Sequence, residues 1–315
     1  MDDLVELALR YANHPGTHAT AIAALSIVRS DRPSPRIHAV HRPSLCFLAQ
    51  GAKQVSLGAE VYRYASQEFL FSSVELPVTG EISAASPKQP YLCLVLAIEP
   101  RHVFDVVTEA GELLRPSRTS AQAMFVERRD PRMTDAFLRL LQTLHSPAEA
   151  RVLASGVIRE ITYRLLSGRY GEVVRALGIA DSQTHRIAKV IERLKLEFAR
   201  PLRTAELARL AGMSPSSFHH HFKNVTALSP HQYQQHLRLQ EARRLLAAPH
   251  ESAAEIGFRV GYESASQFSR EYARLFGLPP SSDAKRMAAP QPEAAAVAVA
   301  SDARRGGAAV ARRGR

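Results

Sequence analysis

The sequence predicts two folded parts, a β-barrel or jelly roll with flanking helices and then an all-α domain. Three observations support this. Short strands separated by turns follow one another between about residues 22 and 98, and a helix-turn-helix pattern occurs twice between Thr204 and Pro280. Charge is uneven, because residues 182–287 carry a net +7 and residues 1–181 only +1. A chain of 315 residues is long enough for two such domains.

The first domain is predicted to span residues 1–130. A short helix is expected within residues 1–14, and a hairpin should turn at Gly58. A helix from Pro100 to Gly111 and a last strand, Ala123–Val126, should follow. Strands this short are typical of a small barrel or jelly roll. The other predicted strands are Ala23–Val28, Ser44–Ala49, Ala52–Leu57, Glu60–Tyr64, Glu68–Phe71, Val78–Ile82 and Tyr91–Ile98.

Two amphipathic helices, Pro131–His145 and Glu149–Leu166, are predicted in the segment 131–181. Their apolar stripes allow two interpretations: they dock on the barrel, or they form a dimer contact. The stripe residues are Ala136, Phe137, Leu140, Leu141 and Leu144 in the first helix and Val152, Leu153, Val157, Ile161 and Leu165 in the second.

The repeated pattern predicts helix-turn-helix units at 204–226 and 252–276. In each copy a glycine, Gly212 or Gly261, ends the first helix where a left-handed residue is needed. Small residues at Ala208 and Gly257 should let the two helices cross closely. After the glycines the copies are related by an offset of 50 residues, so that Phe218 matches Phe268 and Phe222 matches Tyr272.

Capping signals mark the remaining helix starts. Ser214-Pro215 and Ser229-Pro230 each combine an N-cap serine with a proline at the first helical position, and Ser264 with Gln267 is a capping-box pattern. The helix after Ser229 should continue for about eighteen residues, or about 27 Å, and join the two units. Another helix, Gln183–Ala199, is expected to open the domain.

Residues 182–287 resemble the DNA-binding domain of the AraC/XylS family of bacterial transcription regulators. The resemblance includes the Gly261-Tyr262 turn, Phe268-Ser-Arg270 and Leu275-Phe-Gly277. In the family a proline near this end is usually followed by an aromatic-arginine pair, whereas here Pro280 is followed by Ser-Ser-Asp-Ala-Lys-Arg. In the first domain, the run from Leu45 to Gln54 and Glu99-Pro100 resemble one N-terminal type of the family, which implies a cupin-like sensing domain.

The resemblance implies double-stranded DNA as a partner, a homodimer on paired half-sites and RNA polymerase as a further candidate partner. Outward position and the family pattern predict which side chains contact base edges; Arg270 suits guanine and Gln267 suits adenine. Lys223, Arg244 and the helix ends at Ser214 and Ser264 are predicted to contact phosphates. The base-edge candidates are Ser216, His219, His220, Ser266, Gln267 and Arg270.

No metal, cofactor or catalytic residue is predicted. His38 and His41 lie three residues apart, which in a strand points them to opposite faces, and adjacent helical positions spread the run His219–His221 around the helix. The chain has no nucleophile elbow, phosphate-binding glycine loop or CxxC pair. Cys46 and Cys93 lie in apolar runs, where buried reduced thiols are favoured over a disulfide or a metal pair.

The first domain offers a barrel interior for a small-molecule effector, but no residue pattern identifies the ligand. Three functions remain open: an effector-controlled DNA-binding regulator, a regulator whose first domain only dimerises, and a cupin-type enzyme fused to a DNA-binding module. The Ala- and Arg-rich segment 288–315 is predicted to be disordered. The chain has neither a long uncharged apolar run nor a basic start, which favours a cytoplasmic protein without a membrane partner.

Overall fold

The computed structural model of the protein describes residues 2–111, 122–180, 182–247 and 251–288. These residues form two compact units, one ending at Ala180 and the other beginning after it. The first unit is built of strands and helices, and the second of helices alone. The tail predicted to be disordered, 288–315, lies outside the described residues apart from Ala288.

The first unit contains two antiparallel sheets. A six-stranded sheet has the order β1-β2-β9-β4-β7-β10, and a four-stranded sheet has the order β3-β8-β5-β6. The predicted hairpin at Gly58 is confirmed, because Leu57 of β5 pairs with Glu60 of β6. The strands are β1 Gly16–Ala19, β2 Leu25–Ser30, β3 Ile37–His41, β4 Ser44–Gln50, β5 Ala52–Leu57, β6 Glu60–Ala65, β7 Glu68–Ser72, β8 Leu76–Ala84, β9 Tyr91–Ala97 and β10 Met124–Arg128.

The six-stranded sheet is buried on both faces. Leu45 and Phe47 of β4 lie in the core shared with the helices of this unit. Cys46, between them in the sequence, points to the opposite face and lines a cavity together with residues of the four-stranded sheet. This alternation follows from the pleat of the strand. Both cysteines, Cys46 and Cys93, are buried free thiols, as the sequence predicted.

Helices pack on the outer face of the six-stranded sheet. Phe137 stacks on Phe47 of β4 with ring centroids 4.2 Å apart, and most of the predicted apolar stripes belong to the same core. The stripes therefore dock on the sheet, as the first of the two interpretations predicted. The helices are α1 Asp2–Tyr11, α2 Pro100–Ala110, α3 Pro131–Gln142, α4 Pro147–Val152, α5 Ala154–Leu166 and α6 Gly171–Gly178.

The structure corrects the prediction for this unit in two respects. The predicted helix Glu149–Leu166 is two helices that meet at Leu153, and the stripe residues Val152 and Leu153 are 69% and 52% exposed. The core residues on either side of this junction are Ala150 and Ala154, so Val152 and Leu153 lie on the outward side of the segment. The sequence also missed β1, β3 and α6, of which the two strands are short and rich in histidine.

The second unit contains seven helices in its described part. Phe218 and Phe222 form one aromatic cluster with Tyr233, and Phe268 and Tyr272 belong to another. No helix in the described ranges is long and apolar enough to cross a membrane. The helices are α7 Gln183–Leu196, α8 Thr204–Leu210, α9 Pro215–Thr226, α10 Pro230–Leu246, α11 Ala253–Arg259, α12 Ala265–Phe276 and α13 Pro280–Ala288.

The connecting helix α10 is fixed to the residues that follow α7. Arg238 Nε donates to the carbonyl of Phe198 at 2.8 Å, and Gln234 Nε2 donates to the carbonyls of Phe198 and Arg200 at 2.9 and 2.7 Å. The same segment meets the second helix-turn-helix unit, because a Cβ on Gly261 would lie only 2.1 Å from the carbonyl oxygen of Ala199. These contacts hold α10 and the turn before α12 in one arrangement.

The last helix, α13, is held by one buried acid. Asp283 is fully buried and accepts hydrogen bonds from Tyr272 Oη at 2.8 Å, Arg243 Nε at 3.0 Å and Arg286 Nη2 at 2.6 Å. These donors come from α12, α10 and α13 itself. The Asp283 carboxylate thus links α13 to α10 and α12 through hydrogen bonds, in the segment that departs from the family pattern.

Candidate nucleic-acid interface and ligand cavity

Helix α9 has one apolar and one polar face. Phe218 and Phe222 are buried, four residues apart as predicted for the inward side. The base candidates Ser216, His219 and His220 are exposed, and His221 is half-buried. His220 Nε2 shares a hydrogen bond with the side-chain nitrogen Nδ2 of Asn224 at 2.9 Å. The exposed side therefore offers short hydroxyl and imidazole groups to a ligand.

Helix α12 repeats this division with different polar residues. Ser266, Gln267 and Arg270 are exposed, whereas Phe268 and Tyr272 are buried. Within the described residues, the guanidinium of Arg270 forms no ion pair, so its donors are available for a guanine edge.

The predicted adenine contact, Gln267, is held by an acid that the sequence analysis missed. Gln267 Nε2 donates to Glu271 Oε1 at 3.1 Å. Glu271 Oε2 accepts from Tyr262 Oη at 2.8 Å and also from the side chain of Gln235. Partial burial raises the pKa of the Glu271 carboxyl, but the hydrogen bonds outweigh it and hold this pKa below its ordinary value. The i,i+4 spacing of Gln267 and Glu271 is the signal that could have identified this pair.

Both predicted N-cap serines cap their helices. Ser214 Oγ accepts from the backbone N–H of Ser217 at 3.3 Å, and Ser264 Oγ accepts from that of Gln267 at 3.4 Å. The predicted capping box at Ser264 is wrong, since the side chain of Gln267 turns to Glu271 instead. At each helix start, free backbone N–H groups remain that suit a phosphate oxygen.

The two predicted cationic phosphate contacts differ in availability. Lys223 is exposed on α9 and forms no ion pair within the described residues. Arg244 is exposed near the end of α10, but its guanidinium pairs with Glu241 at 2.6 Å. A phosphate would have to compete with that carboxylate, so Lys223 is the stronger candidate. Both assignments remain predictions.

The first unit encloses a cavity of about 450 Å³ between its two sheets. Most of its lining surface is apolar, and its charged and polar lining includes Lys53, Arg42, Glu99, His41 and the two cysteines. As predicted for a spacing of three in a strand, His38 points away from His41; its Nδ1 shares a hydrogen bond with Thr79 Oγ1 at 2.9 Å. A volume of this size suits a small organic molecule.

Two family models match the chain. The model described as "AraC-type transcriptional regulator N-terminus" matches residues 21–173, and the model described as "Helix-turn-helix domain" matches residues 207–286. The first match contains both sheets from β2 onward with α2 to α5. The second begins within α8 and contains the rest of the first helix-turn-helix unit and all of the second. Together they account for about three quarters of the sequence.

Curated relatives agree. The HTH-type transcriptional regulator ArgR of Pseudomonas aeruginosa is 28% identical over 149 residues, which are 47% of this chain and 45% of that protein. The HTH-type transcriptional activator RhaS of Klebsiella pneumoniae is 28% identical over 143 residues, 44% of this chain and 49% of that protein. The chain thus spans about half the length of the curated relatives it matches.

Among solved structures, ToxT from Vibrio cholerae matches with a TM-score of 0.53 at 10% identity, covering 83% of this chain and 97% of ToxT. This likeness concerns the fold alone, and it extends over a β-rich unit followed by a helical one. The family models and the curated relatives supply the assignment: the chain belongs to the AraC/XylS family of transcriptional regulators.

Proposed function

We propose that this protein is a sequence-specific DNA-binding transcription regulator, controlled by a small molecule bound in its first unit. The observation that carries the proposal is the pair of helices α9 and α12. Each buries two aromatic residues and exposes polar side chains, and each follows a short helix and a tight turn. This is the arrangement in which a second helix enters the major groove. Family membership supports it.

Helix α10 sets the distance between the two units. Its 17 residues span about 25 Å at a rise of about 1.5 Å per residue. The hydrogen bonds of Gln234 and Arg238 hold it to the segment after α7. With the width of the two units added, we infer that α9 and α12 enter successive major grooves, about 34 Å apart.

Individual contacts follow from side-chain chemistry. Arg270 is proposed to donate to a guanine edge and Gln267 to contact adenine, with Ser216, Ser266 and the exposed histidines at neighbouring bases. Lys223, Arg244 and the starts of α9 and α12 at Ser214 and Ser264 are proposed to hold phosphates, which sets the register without selecting the sequence.

The test is selection of bound sites from random DNA with the full-length protein, followed by footprinting. We expect two protected blocks on one face of the duplex, separated by about one helical turn. A single block would show that only one unit binds. Equal affinity for selected and random DNA would contradict sequence-specific binding. Footprints that no cavity ligand changes would contradict control by a small molecule.

The cavity supports effector control. It lies between the sheets of the N-terminal unit and is large enough for a small organic molecule. ToxT, which shares the fold, has been solved with an unsaturated fatty acid bound. We infer that DNA binding depends on occupancy of this cavity, and we assign no catalytic role to it. Because its proposed partner is promoter DNA, we propose that the protein acts in the cytoplasm.

A homodimer is part of the proposal. Val152, Leu153 and Tyr163 are exposed, at 69%, 52% and 47%, on the α4–α5 segment. We infer that these exposed side chains contribute to the contact with a second copy of the chain. Sedimentation should show a dimer, and the substitution Val152→Lys should weaken it. RNA polymerase is a further proposed partner, for which transcription with purified polymerase is the test.

A further inference from the structure

We propose that the cavity of the first unit binds a small carboxylic acid with an apolar body, whose carboxylate is held by Lys53 and His41. This inference rests on effector control as proposed above, and it names the chemical class of the effector. The carrying observation is that Lys53 and His41, neither of which has a hydrogen-bond or ion-pair partner among the described residues, both line one largely apolar cavity.

Lys53 points inward because of its position on β5. It shares the inner face with Val55 and Leu57, which are buried, and it pairs across the sheet with Ile82. Its aliphatic part lies over Gly80, where an added Cβ would be 3.1 Å from Lys53 Cε and 3.6 Å from Nζ. The missing side chain at Gly80 thus leaves the room in which the lysine lies.

The ammonium of Lys53 has no counter-charge. Among residues 2–111, 122–180, 182–247 and 251–288, none forms an ion pair or a hydrogen bond with it. Glu99, the acid in the cavity wall, pairs with Arg101 at 2.7 Å. Lys53 is half-buried, so its ammonium has lost part of its contact with water without gaining a partner, and an anionic ligand would supply that partner.

His41 provides a second polar group. Its Nδ1 is buried and has no hydrogen-bond partner in the described part of the chain. Burial, with the nearby charge of Lys53, lowers the pKa of His41 to about 3. The imidazole is therefore neutral at physiological pH and can donate one N–H to a carboxylate oxygen. Because both residues line the same cavity, we infer that one carboxylate accepts hydrogen bonds from Lys53 and His41.

The rest of the wall selects an apolar body. The lining also includes large apolar side chains, namely Val28, Ile37, Val78, Ile82, Tyr91 and Val95. Burying aliphatic or aromatic ligand surface against them is favourable, whereas a strongly hydrated ligand would lose its water without full compensation. A carboxylate on one end of a short alkyl or aryl-alkyl chain satisfies both parts of the cavity.

The experiment is calorimetric titration of the full-length protein with matched probes that differ only in the head group: octanoate against octan-1-ol, and 4-phenylbutanoate against 4-phenylbutan-1-ol. We expect an acid to bind at least about tenfold more tightly than its alcohol. Lys53→Met keeps the length and apolar character of the chain, and should weaken the acid by about 10- to 100-fold while leaving the alcohol unchanged.

Controls separate charge at this site from charge elsewhere. Lys88→Met removes an exposed lysine of the same unit and should leave both affinities unchanged. Lys53→Met should melt no lower than the parent, because it removes an unpaired charge. Equal affinity for acid and alcohol, an unchanged acid affinity in Lys53→Met, or no binding of either acid overturns the inference.

These failures differ from failure of the proposed function. If the alcohols bind as well as the acids and footprints still respond to them, effector control stands and the anionic class is wrong. If the acids bind through Lys53 but the protein shows no preference for selected DNA, the ligand class stands and the proposed regulator function is wrong.

Discussion

The two helix-turn-helix units share their sequence pattern but differ in how firmly the rest of the second compact unit holds them. In both, a glycine with positive φ ends the first helix, with φ of 63° at Gly212 and 97° at Gly261. A Cβ on Gly212 would meet only the end of Arg186 at 3.8 Å, whereas a Cβ on Gly261 would meet backbone at 2.1 Å. The turn before α12 is therefore packed on the segment after α7, and the turn before α9 is open.

The exposed polar faces of α9 and α12 also differ in how firmly their side chains are held. The 50-residue offset matches His220 with Arg270 and His221 with Glu271. Glu271 accepts hydrogen bonds from Gln267, Tyr262 and Gln235. The ring of His221 contacts that of His220 edgewise, and within the described part of the chain it forms no hydrogen bond. We infer that α12 is preorganised before DNA arrives, while α9 can adjust to it. A repeated motif thus supports two modes of contact, decided by what surrounds each copy.

The largest expected effect separates the two turns. Gly261→Ala combines a positive φ with a clash against the carbonyl of Ala199, and should lower the free energy of unfolding by about 2–4 kcal/mol. Gly212→Ala meets only the strain of its φ, about 1 kcal/mol. Denaturant unfolding of both variants measures the difference, and equal losses would show that the second turn is not more tightly packed.

Substitutions in α12 should reduce affinity for the specific DNA site more than matched substitutions in α9. Arg270→Ala is expected to cost about 1–3 kcal/mol at the specific site and to relax selectivity at one base position, because a bidentate guanine contact is lost. The matched variant His220→Ala should cost less, since one imidazole nitrogen makes a single hydrogen bond to a base edge where a guanidinium makes two. Binding to a set of single-base variants is the measurement; weakening that is uniform across them would make Arg270 a phosphate contact.

A smaller effect should come from Lys223 of α9, whose counterpart in α12 is the uncharged Ala273. Lys223→Ala should reduce the slope of log affinity against log salt by about one unit, through the loss of one released counterion. Affinity measured across a salt series tests this. An unchanged slope would place Lys223 away from the phosphates.

The smallest expected effect concerns Glu271. Its pKa is lowered in the folded state, so its contribution to stability is present above its unfolded pKa and is lost as pH falls through the folded value. The group is partly exposed, so we expect less than about 1 kcal/mol. Glu271→Gln should flatten the acid limb of stability against pH, and the matched His221→Gln should leave it unchanged. A parallel shift of the whole curve in Glu271→Gln would contradict this.

Local signals predicted the helical unit well. Serine with proline marks the starts of α9 and α10, and the glycines mark the ends of α8 and α11. Such signals act within one turn of helix, so the sequence alone carries them. They failed for β1 and β3, because four or five residues that include histidines show no clear alternation. They also failed at Leu153, where nothing local marks the break between α4 and α5.

The candidate contacts divide in the same way. The sequence was sufficient to predict that Ser216, His219, His220, Ser266, Gln267 and Arg270 face outward, because helical periodicity fixes a face once Phe218 and Phe268 point inward. It did not predict that Gln267 is held by Glu271 together with Gln235, which is 36 residues from that acid. A side chain that joins distant helices has no periodic signature.

By itself, the sequence determined that this chain has a strand-rich first part and a basic pair of helix-turn-helix units, through short-range caps, turns and periodicity. Only the tertiary structure decided which groups meet. Arg243 and Asp283 are 40 residues apart and form one buried ion pair, and Lys53 and His41 face one cavity only because β5 and β3 both pair with β8. Such meetings depend on how whole strands and helices pack, which no short stretch of sequence encodes.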